Sequence, residues 1–278
     1  MGIITVGQEN STPIDLYYED HGNGTPVVLI HGFPLSAASW EKQVPALLEA
    51  GYRVIAYDRR GFGRSSQPAT GYDYDTFAAD LNGLVEKLDL QGAALVGFSM
   101  GGGEVARFVG KYGTGRVSKA AFLSSVPPHL VQTDDDPEGV PAEVFAGIKK
   151  KIQEDRPAFL AGFFKDFFNV DVLQAKGLIT DEALHMSWQA AIVASPIATL
   201  ACVDTWGTDF RQDLAKFNIP TLVLTGDSDR IVPAEKSSNR TAKLVAGAKL
   251  VTVKDGPHAV NWTHAEEVNA ALLEFLKG

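Results

Sequence analysis

Short runs of residues that are apolar at successive positions recur along the chain: Val27-Val28-Leu29-Ile30, Val54-Ile55-Ala56-Tyr57, Ala93–Val96, Ala120–Leu123 and Leu222–Leu224, with Leu250–Val253 repeating the pattern apart from Thr252. Such runs are the pattern of strands covered on both faces. Ahead of them, Ile3–Val6 and Ile14–Glu19, joined by polar residues, predict a hairpin. Amphipathic stretches fill the intervals. Phe77, Leu81, Leu84, Val85 and Leu88 fall on one helical face, as do Val105, Phe108, Val109 and Tyr112, and near the C-terminus Val268, Leu272, Phe275 and Leu276. Strands alternating with helices predict an α/β fold on a largely parallel sheet. The alternation stops between about Pro127 and Asp213. Pro127-Pro128 ends a strand, and Asp134-Asp135-Asp136-Pro137 begins an acidic, turn-rich loop. Phe159, Phe163, Phe164 and Phe167 then share a helical face, followed by Trp188, Ile192 and Trp206. Residues 127–212 are therefore expected to form a helical cap between core segments 1–126 and 213–278. Most of its aromatics should be core and the remainder should line a pocket.

Gly97-Phe98-Ser99-Met100-Gly101 directly follows the run Ala93–Val96 and opens the amphipathic stretch that starts at Glu104. The setting is strand, sharp turn, helix. Gly97 and Gly101 remove side chains that would clash in the turn, and Gly102 and Gly103 let the helix approach its neighbours. Ser99 then stands above a helix N-terminus, whose free N–H groups and dipole favour a developing anion. To act as a nucleophile it needs a base, and the base needs an orienting acid. Of the six histidines, His258 lies in Asp255-Gly256-Pro257-His258, just past the strand Leu250–Val253. Doubly wound sheets place functional groups in such loops. His31, ahead of Gly32, is expected to brace its own loop. For the acid, Gly226-Asp227-Ser228-Asp229 follows the strand Leu222–Leu224, whereas one strand earlier the chain reads Ser124-Ser125-Val126 and offers no carboxylate. Asp227 and Asp229 both remain candidates, and the one not used is expected to cap the loop backbone.

Composition narrows the partners. Across 278 residues, 25 Lys+Arg against 34 Asp+Glu give a formal net charge of −9. An acidic surface argues against a nucleic-acid duplex or an anionic membrane, because phosphate binding needs clustered Lys and Arg. The run Lys149-Lys150-Lys151 is followed by Glu154-Asp155 and reads as a solvated helix face. The single cysteine, Cys202, excludes an intrachain disulfide and a cysteine zinc cage, and no metal or other cofactor is implied. No apolar run approaches the ~20 residues that cross a bilayer. Met1–Val6 carries neither a charged leader region nor a cleavage pattern, so we expect no signal peptide and a cytoplasmic location.

The order of serine, acidic loop and His258 is that of α/β-hydrolases, and the chain resembles that superfamily over nearly its whole length. The resemblance implies a mostly parallel eight-stranded sheet flanked by helices, with a helical cap. It matches the second aspartate of Gly226-Asp227-Ser228-Asp229 to the family's acid, which selects Asp229. His31-Gly32-Phe33-Pro34 resembles the oxyanion loop, implying backbone N–H donors at Phe33 and Met100. Asp58-Arg59-Arg60-Gly61-Phe62-Gly63-Arg64-Ser65 resembles a structural turn after the fourth strand.

Within the superfamily the likeness is to cofactor-free bacterial haloperoxidases, aryl esterases and perhydrolases. It rests on Tyr17-Tyr18-Glu19-Asp20, His31-Gly32-Phe33-Pro34-Leu35, Tyr57-Asp58-Arg59-Arg60-Gly61-Phe62-Gly63, Gly71-Tyr72-Asp73-Tyr74-Asp75-Thr76-Phe77 and Gly97-Phe98-Ser99-Met100-Gly101-Gly102-Gly103-Glu104. Many members have Trp where this chain has Phe33, which implies an intact oxyanion hole with a different pocket shape. Pro34 matches the peroxide-using members. Together with Phe33, Met100, Val126 and Ile231, it is expected at the pocket. The implied activity is an acyl-serine esterase that also forms peracids from carboxylic acids and hydrogen peroxide, with halide oxidised by the peracid. γ-Lactam hydrolases share most of these motifs, so a lactam joins the ester and carboxylic acid as an implied small-molecule substrate. A ligand-binding receptor of the same fold is the non-enzyme alternative, although such proteins usually lack a member of the triad. Members of the branch are often dimers or trimers, so the resemblance also admits a homo-oligomer.

Overall fold

The computed structural model describes residues 1–278. The chain opens with a hairpin of β1 (Gly2–Glu9) and β2 (Thr12–His21), followed by β3 (Pro26–Ile30), α1 (Val44–Glu49), β4 (Arg53–Tyr57) and α2 (Tyr74–Lys87). β5 (Ala93–Phe98), α3 (Met100–Tyr112) and β6 (Val117–Leu123) complete the first part. A purely helical stretch follows: α4 (Ala142–Phe167), α5 (Val170–Leu173), α6 (Asp181–Ile192), α7 (Pro196–Thr205) and α8 (Arg211–Leu214). The chain ends with β7 (Thr221–Gly226), α9 (Ser238–Leu244), β8 (Lys249–Val253), α10 (Val260–Thr263) and α11 (Ala265–Lys277). The eight strands form one sheet in the order β1-β2-β4-β3-β5-β6-β7-β8, in which β2 alone runs against the others.

Side chains of each inner strand serve two cores in alternation. Val28, Ile30, Leu95, Phe122 and Val223 pack with Phe77, Leu81, Val105 and Val109 on one face of the sheet. Val27, Leu29, Val96, Leu123 and Leu224 pack with Trp40, Leu47, Val268 and Leu272 on the other. Each such side chain, fully buried, contributes about 1.5–3 kcal/mol, and a strand facing two cores has no polar position to alternate with. α3 starts at Met100, four residues ahead of the apolar pattern, because Gly101, Gly102 and Gly103 are buried without side chains to mark a face.

The strand order reverses at β3, which has β4 on one side and β5 on the other. The loops leaving β3 and β5 therefore emerge side by side at a topological switch point. The start of α3 packs tightly there, since a methyl group on Gly101 would overlap the Ile30 carbonyl. Between β6 and β7, helices α4 to α7 pack on one another, while α8 already packs on α3, so the chain rejoins the core within α8. α4 is broken. Asp155 has φ −158° and ψ 89°, Pro157 follows, and the Asp155 carboxylate accepts the Ala158 N–H at 2.9 Å to start a second helical segment. No single helix is long and apolar enough to cross a membrane.

Two glycines separate close approach from mere flexibility. Gly101→Ala is expected to lower the unfolding free energy by about 1–3 kcal/mol, because the added methyl overpacks the seam between β3 and α3. Gly147→Ala, at a position of α4 where an added methyl group would meet nothing within 4 Å, is expected to raise it by up to about 1 kcal/mol through helix propensity. Urea unfolding of the two variants measures both.

Candidate active site

Ser99 occupies the turn between β5 and α3 with φ 55° and ψ −120°, a conformation that residues with a side chain rarely adopt. The surroundings hold it there. The Ser99 N–H donates to the Leu123 carbonyl at 2.8 Å, and its carbonyl accepts the N–H groups of Gly102 at 3.0 Å and Val126 at 3.3 Å. The loop after β8 brings His258 Nε2 to 2.8 Å from Ser99 Oγ, and the loop after β7 brings Asp229 Oδ2 to 2.7 Å from His258 Nδ1. The other oxygen of Asp229 accepts the N–H groups of Ile231 at 2.9 Å and Val232 at 2.8 Å, which fixes the plane of the carboxylate. A carboxylate only accepts, so Nδ1 carries the imidazole proton and Nε2 is left to accept from the serine hydroxyl.

Further bonds join these loops to one another and to the cap. The Ser228 N–H donates to the Gly256 carbonyl at 3.0 Å, and the Ala259 N–H to the Phe167 carbonyl at 3.1 Å. The imidazole is fully buried, with the rings of Phe98 and Phe167 at centroid distances of 5.2 and 4.9 Å. Asp227, one candidate acid, is exposed and accepts only the Ser228 hydroxyl at 3.1 Å. It does not cap the loop backbone as expected, because Asp229 takes the two N–H groups of that turn itself.

Phe33 follows β3 in a turn closed by the Leu35 N–H on the Gly32 carbonyl at 3.0 Å, and its own N–H has no acceptor within the chain. Met100 is the first residue of α3, so its N–H is one of the free donors of a first helical turn. The two donors flank the serine: a Cβ on Gly32 would lie 2.8 Å from Ser99 Cβ.

Ser99 opens into a cavity of about 600 Å³. Phe33, Val126 and Ile231 line it, and so do Phe159, Phe163 and Trp206 from the cap. The Phe33 ring stands edge-on to Trp206 at 4.9 Å and to Phe163 at 6.0 Å. Two expected pocket positions are corrected. Pro34 is buried off the cavity wall, because its turn presents the Phe33 ring there instead, and the Met100 side chain is buried in the core. Of the α4 aromatics, Phe159 and Phe163, one helical turn apart, face the cavity, while Phe164 and Phe167, further round the helix, face the core. Phe145, also on the wall, was missed although Val144 and Ile148, one helical turn apart on either side of it, line the same wall and mark an apolar stripe in the sequence. Lys151, Glu154, Asp155, Asp166 and Arg230 edge the lining, and Arg230 is paired with Asp171 at 2.8 Å. No cluster of three His, Cys, Asp or Glu side chains has the geometry of a metal site.

Residues 25–265 match the family described as alpha/beta hydrolase fold. The chain belongs to the α/β-hydrolase family. It is 59% identical over 277 residues, 100% of each chain, to a Synechocystis sp. protein that carries the provisional name non-heme chloroperoxidase. It is 38% identical over 285 residues, again 100% of each chain, to the bifunctional esterase/perhydrolase DCH of Acinetobacter calcoaceticus. The crystal structure of a bromoperoxidase from Bacillus anthracis superposes with a TM-score of 0.96 at 52% identity, covering 100% of this chain and 99% of that one.

The two aspartates give this α/β-hydrolase a direct test of its acid. Asp229→Asn is expected to lower kcat on an aryl ester by about 10⁴ through loss of the required imidazole tautomer. Asp227→Asn, an exposed change, should stay within about twofold of the parent. Steady-state kinetics of the two variants would reverse this order if Asp227 were the acid.

Proposed function

We propose that the protein is a serine hydrolase that carries small acyl groups on Ser99 and transfers them to water or to hydrogen peroxide. The observation that carries this reading is the continuous hydrogen-bonded run from Asp229 through His258 to Ser99, opening onto an apolar cavity beside two free N–H donors. Ser99 Oγ attacks the carbonyl carbon of an ester while His258 Nε2 takes the hydroxyl proton, and Asp229 stabilises the resulting imidazolium. The Phe33 and Met100 N–H groups bind the tetrahedral oxyanion, each worth about 3–4 kcal/mol of barrier. His258 returns the proton to the departing alkoxide, leaving an acyl-serine. Water, deprotonated by His258, then releases the carboxylic acid and restores Ser99.

Hydrogen peroxide in the place of that water releases a peracid. A free carboxylic acid enters the same cycle by losing water as it acylates Ser99. The peracid then oxidises halide in solution: with one proton, bromide becomes hypobromous acid and the peracid returns to the carboxylic acid. The names of the Bacillus and Acinetobacter relatives support this extension from ester hydrolysis to peracid chemistry. A strained lactam carbonyl is a substrate of the same chemical class. Pro34 acts here through the backbone, its ring fixing φ in the turn so that a backbone carbonyl is set to accept a hydrogen bond from the incoming peroxide.

In acetate buffer with peroxide and bromide, the protein is expected to brominate monochlorodimedone and Ser99→Ala to show only the background rate. Bromination unchanged in Ser99→Ala would refute the acyl-serine route. No bromination, with aryl-ester hydrolysis intact, would leave a plain esterase. A binding protein of this fold would leave Ser99 unlabelled by a fluorophosphonate. Pro34→Leu is expected to lower the ratio of perhydrolysis to hydrolysis, and an unchanged ratio would remove Pro34 from the peroxide step.

A further inference from the structure

A set of charged and polar groups lies under the oxyanion turn without touching the triad. Arg59, just after β4, and Glu104, on α3, have side chains 1% and 0% exposed. Arg59 Nε donates to Glu104 Oε2 at 2.7 Å, and the Tyr57 hydroxyl donates to Glu104 Oε1. Arg59 also reaches the end of β3 twice. Its Nη2 donates to the His31 carbonyl at 2.9 Å, and its backbone N–H donates to His31 Nε2 at 3.0 Å. The second bond makes Nε2 an acceptor, so the imidazole proton sits on Nδ1, 2.9 Å from the Gly32 carbonyl. Burial, reinforced by the Arg59 charge, holds His31 well below the ordinary histidine range and keeps it neutral. Asp58 secures the far end of the same loop, its Oδ1 accepting the Ala37 N–H at 2.7 Å.

These bonds join the two pieces of backbone that carry the oxyanion donors. The Phe33 N–H lies two residues beyond the His31 carbonyl, and Met100 stands four residues, about one helical turn, before Glu104. Burial opposes both charges, raising the Glu104 carboxyl well above its usual value and lowering Arg59. Two donors meeting the two oxygens of Glu104 nevertheless fit its carboxylate form. A buried pair of this kind is often replaceable by apolar residues with no loss of stability, and Arg59 Nη1 has no hydrogen-bond partner. Stability is therefore a poor reason for the pair to be here, and geometry a better one.

We propose that Arg59 and Glu104 are positioning residues for the oxyanion hole: by tying the His31 carbonyl to α3, they set the distance and direction between the Phe33 and Met100 N–H groups. The inference rests on the acyl-serine reading of the site.

The test is the volume-matched pair Arg59→Met with Glu104→Leu. It should remain folded, with an unfolding temperature lowered because the Tyr57 hydroxyl and the His31 carbonyl lose their partners, and be labelled completely at Ser99 by a fluorophosphonate. Its kcat on an aryl ester should nevertheless fall by about 10–100-fold, the effect of a displacement near 1 Å at the reacting centre, with KM little changed. The inhibition constant of a phenylboronic acid, which becomes a tetrahedral anion on Ser99, should rise by the same factor. A folded double variant with the parent's kcat and boronate affinity would overturn the proposal. Should that variant not fold, Arg59→Lys serves: it keeps the charge but cannot span Glu104 and the His31 carbonyl together. Lower kcat at constant KM is then expected, and unchanged kcat overturns the proposal. Activity persisting in Ser99→Ala would instead mean that the reading of the whole site had failed.

Discussion

The end of β3 and the first turn of α3 meet backbone to backbone, because Gly101 brings no side chain to its contact with the Ile30 and His31 carbonyls, while the bare Gly32 leaves room for the Ser99 side chain. The rest of the site depends on that seam. It presses the Ser99 turn into its left-handed conformation and supports it from both sides. It also places the free N–H groups of Phe33 and Met100 beside Ser99 on adjoining turns. The sheet spaces everything else. Ser99 leaves β5, Asp229 leaves β7 and His258 leaves β8, so acid and base start two and three strands away, at about 4.8 Å per strand. Their loops have to lean back across β6 to close the chain of hydrogen bonds. The absence of a side chain on Gly226 lets the Gly256 backbone lie against it, and the bond from Ser228 to Gly256 holds the acid and base loops together as they lean.

Three consecutive residues after β4 divide the work of anchoring this region. Asp58 holds the loop beyond the oxyanion turn, Arg59 holds α3 and the His31 carbonyl, and Arg60 holds α2 through paired bonds of 2.6 Å to Asp80. A turn that resembles only a structural motif in sequence is thus the point where the oxyanion loop, α3 and α2 are referred to one another. It does so with buried ion pairs and charge-assisted hydrogen bonds, whose directional geometry ties each partner to a defined position.

The inner strands were legible because both faces of the sheet are covered there, leaving continuous apolar runs. β8 lies at the sheet edge with Leu250 exposed and only Val253 buried, so it was found at the right place but is not a doubly covered strand. Ser99 was legible because the strand, turn and helix that expose it are contiguous. His258 could be chosen from its place after a strand. The residues alone did not separate Asp229 from Asp227; the choice lies in which carboxylate meets the N–H groups of Ile231 and Val232, a property of the folded turn. Pro34 was misplaced because position in a motif does not say which neighbour's ring turns toward the cavity. The cap aromatics were only partly sorted, since Phe159, Phe163, Phe164 and Phe167 occupy one broad face that looks both into the cavity and into the core. Arg59 and Glu104 are 45 residues apart, so no local pattern announces that they are partners.

The interruption of α4 at Asp155 and Pro157 divides the roof of the cavity into two panels with separate attachments. The second panel carries Phe159 and Phe163 over the substrate space and ends on Phe167, whose ring and carbonyl are engaged with His258 and its loop. The first carries Val144, Phe145 and Ile148 and is held to α7 through the solvent-facing pair of Lys149 with Asp204. The second panel is in direct contact with the base, and the first is not. Residues 142–154 thus shape the cavity from a panel with no contact to the imidazole, whereas residues 157–167 shape it from a panel that also bears on the base, so one helix couples to the chemistry through only one of its halves.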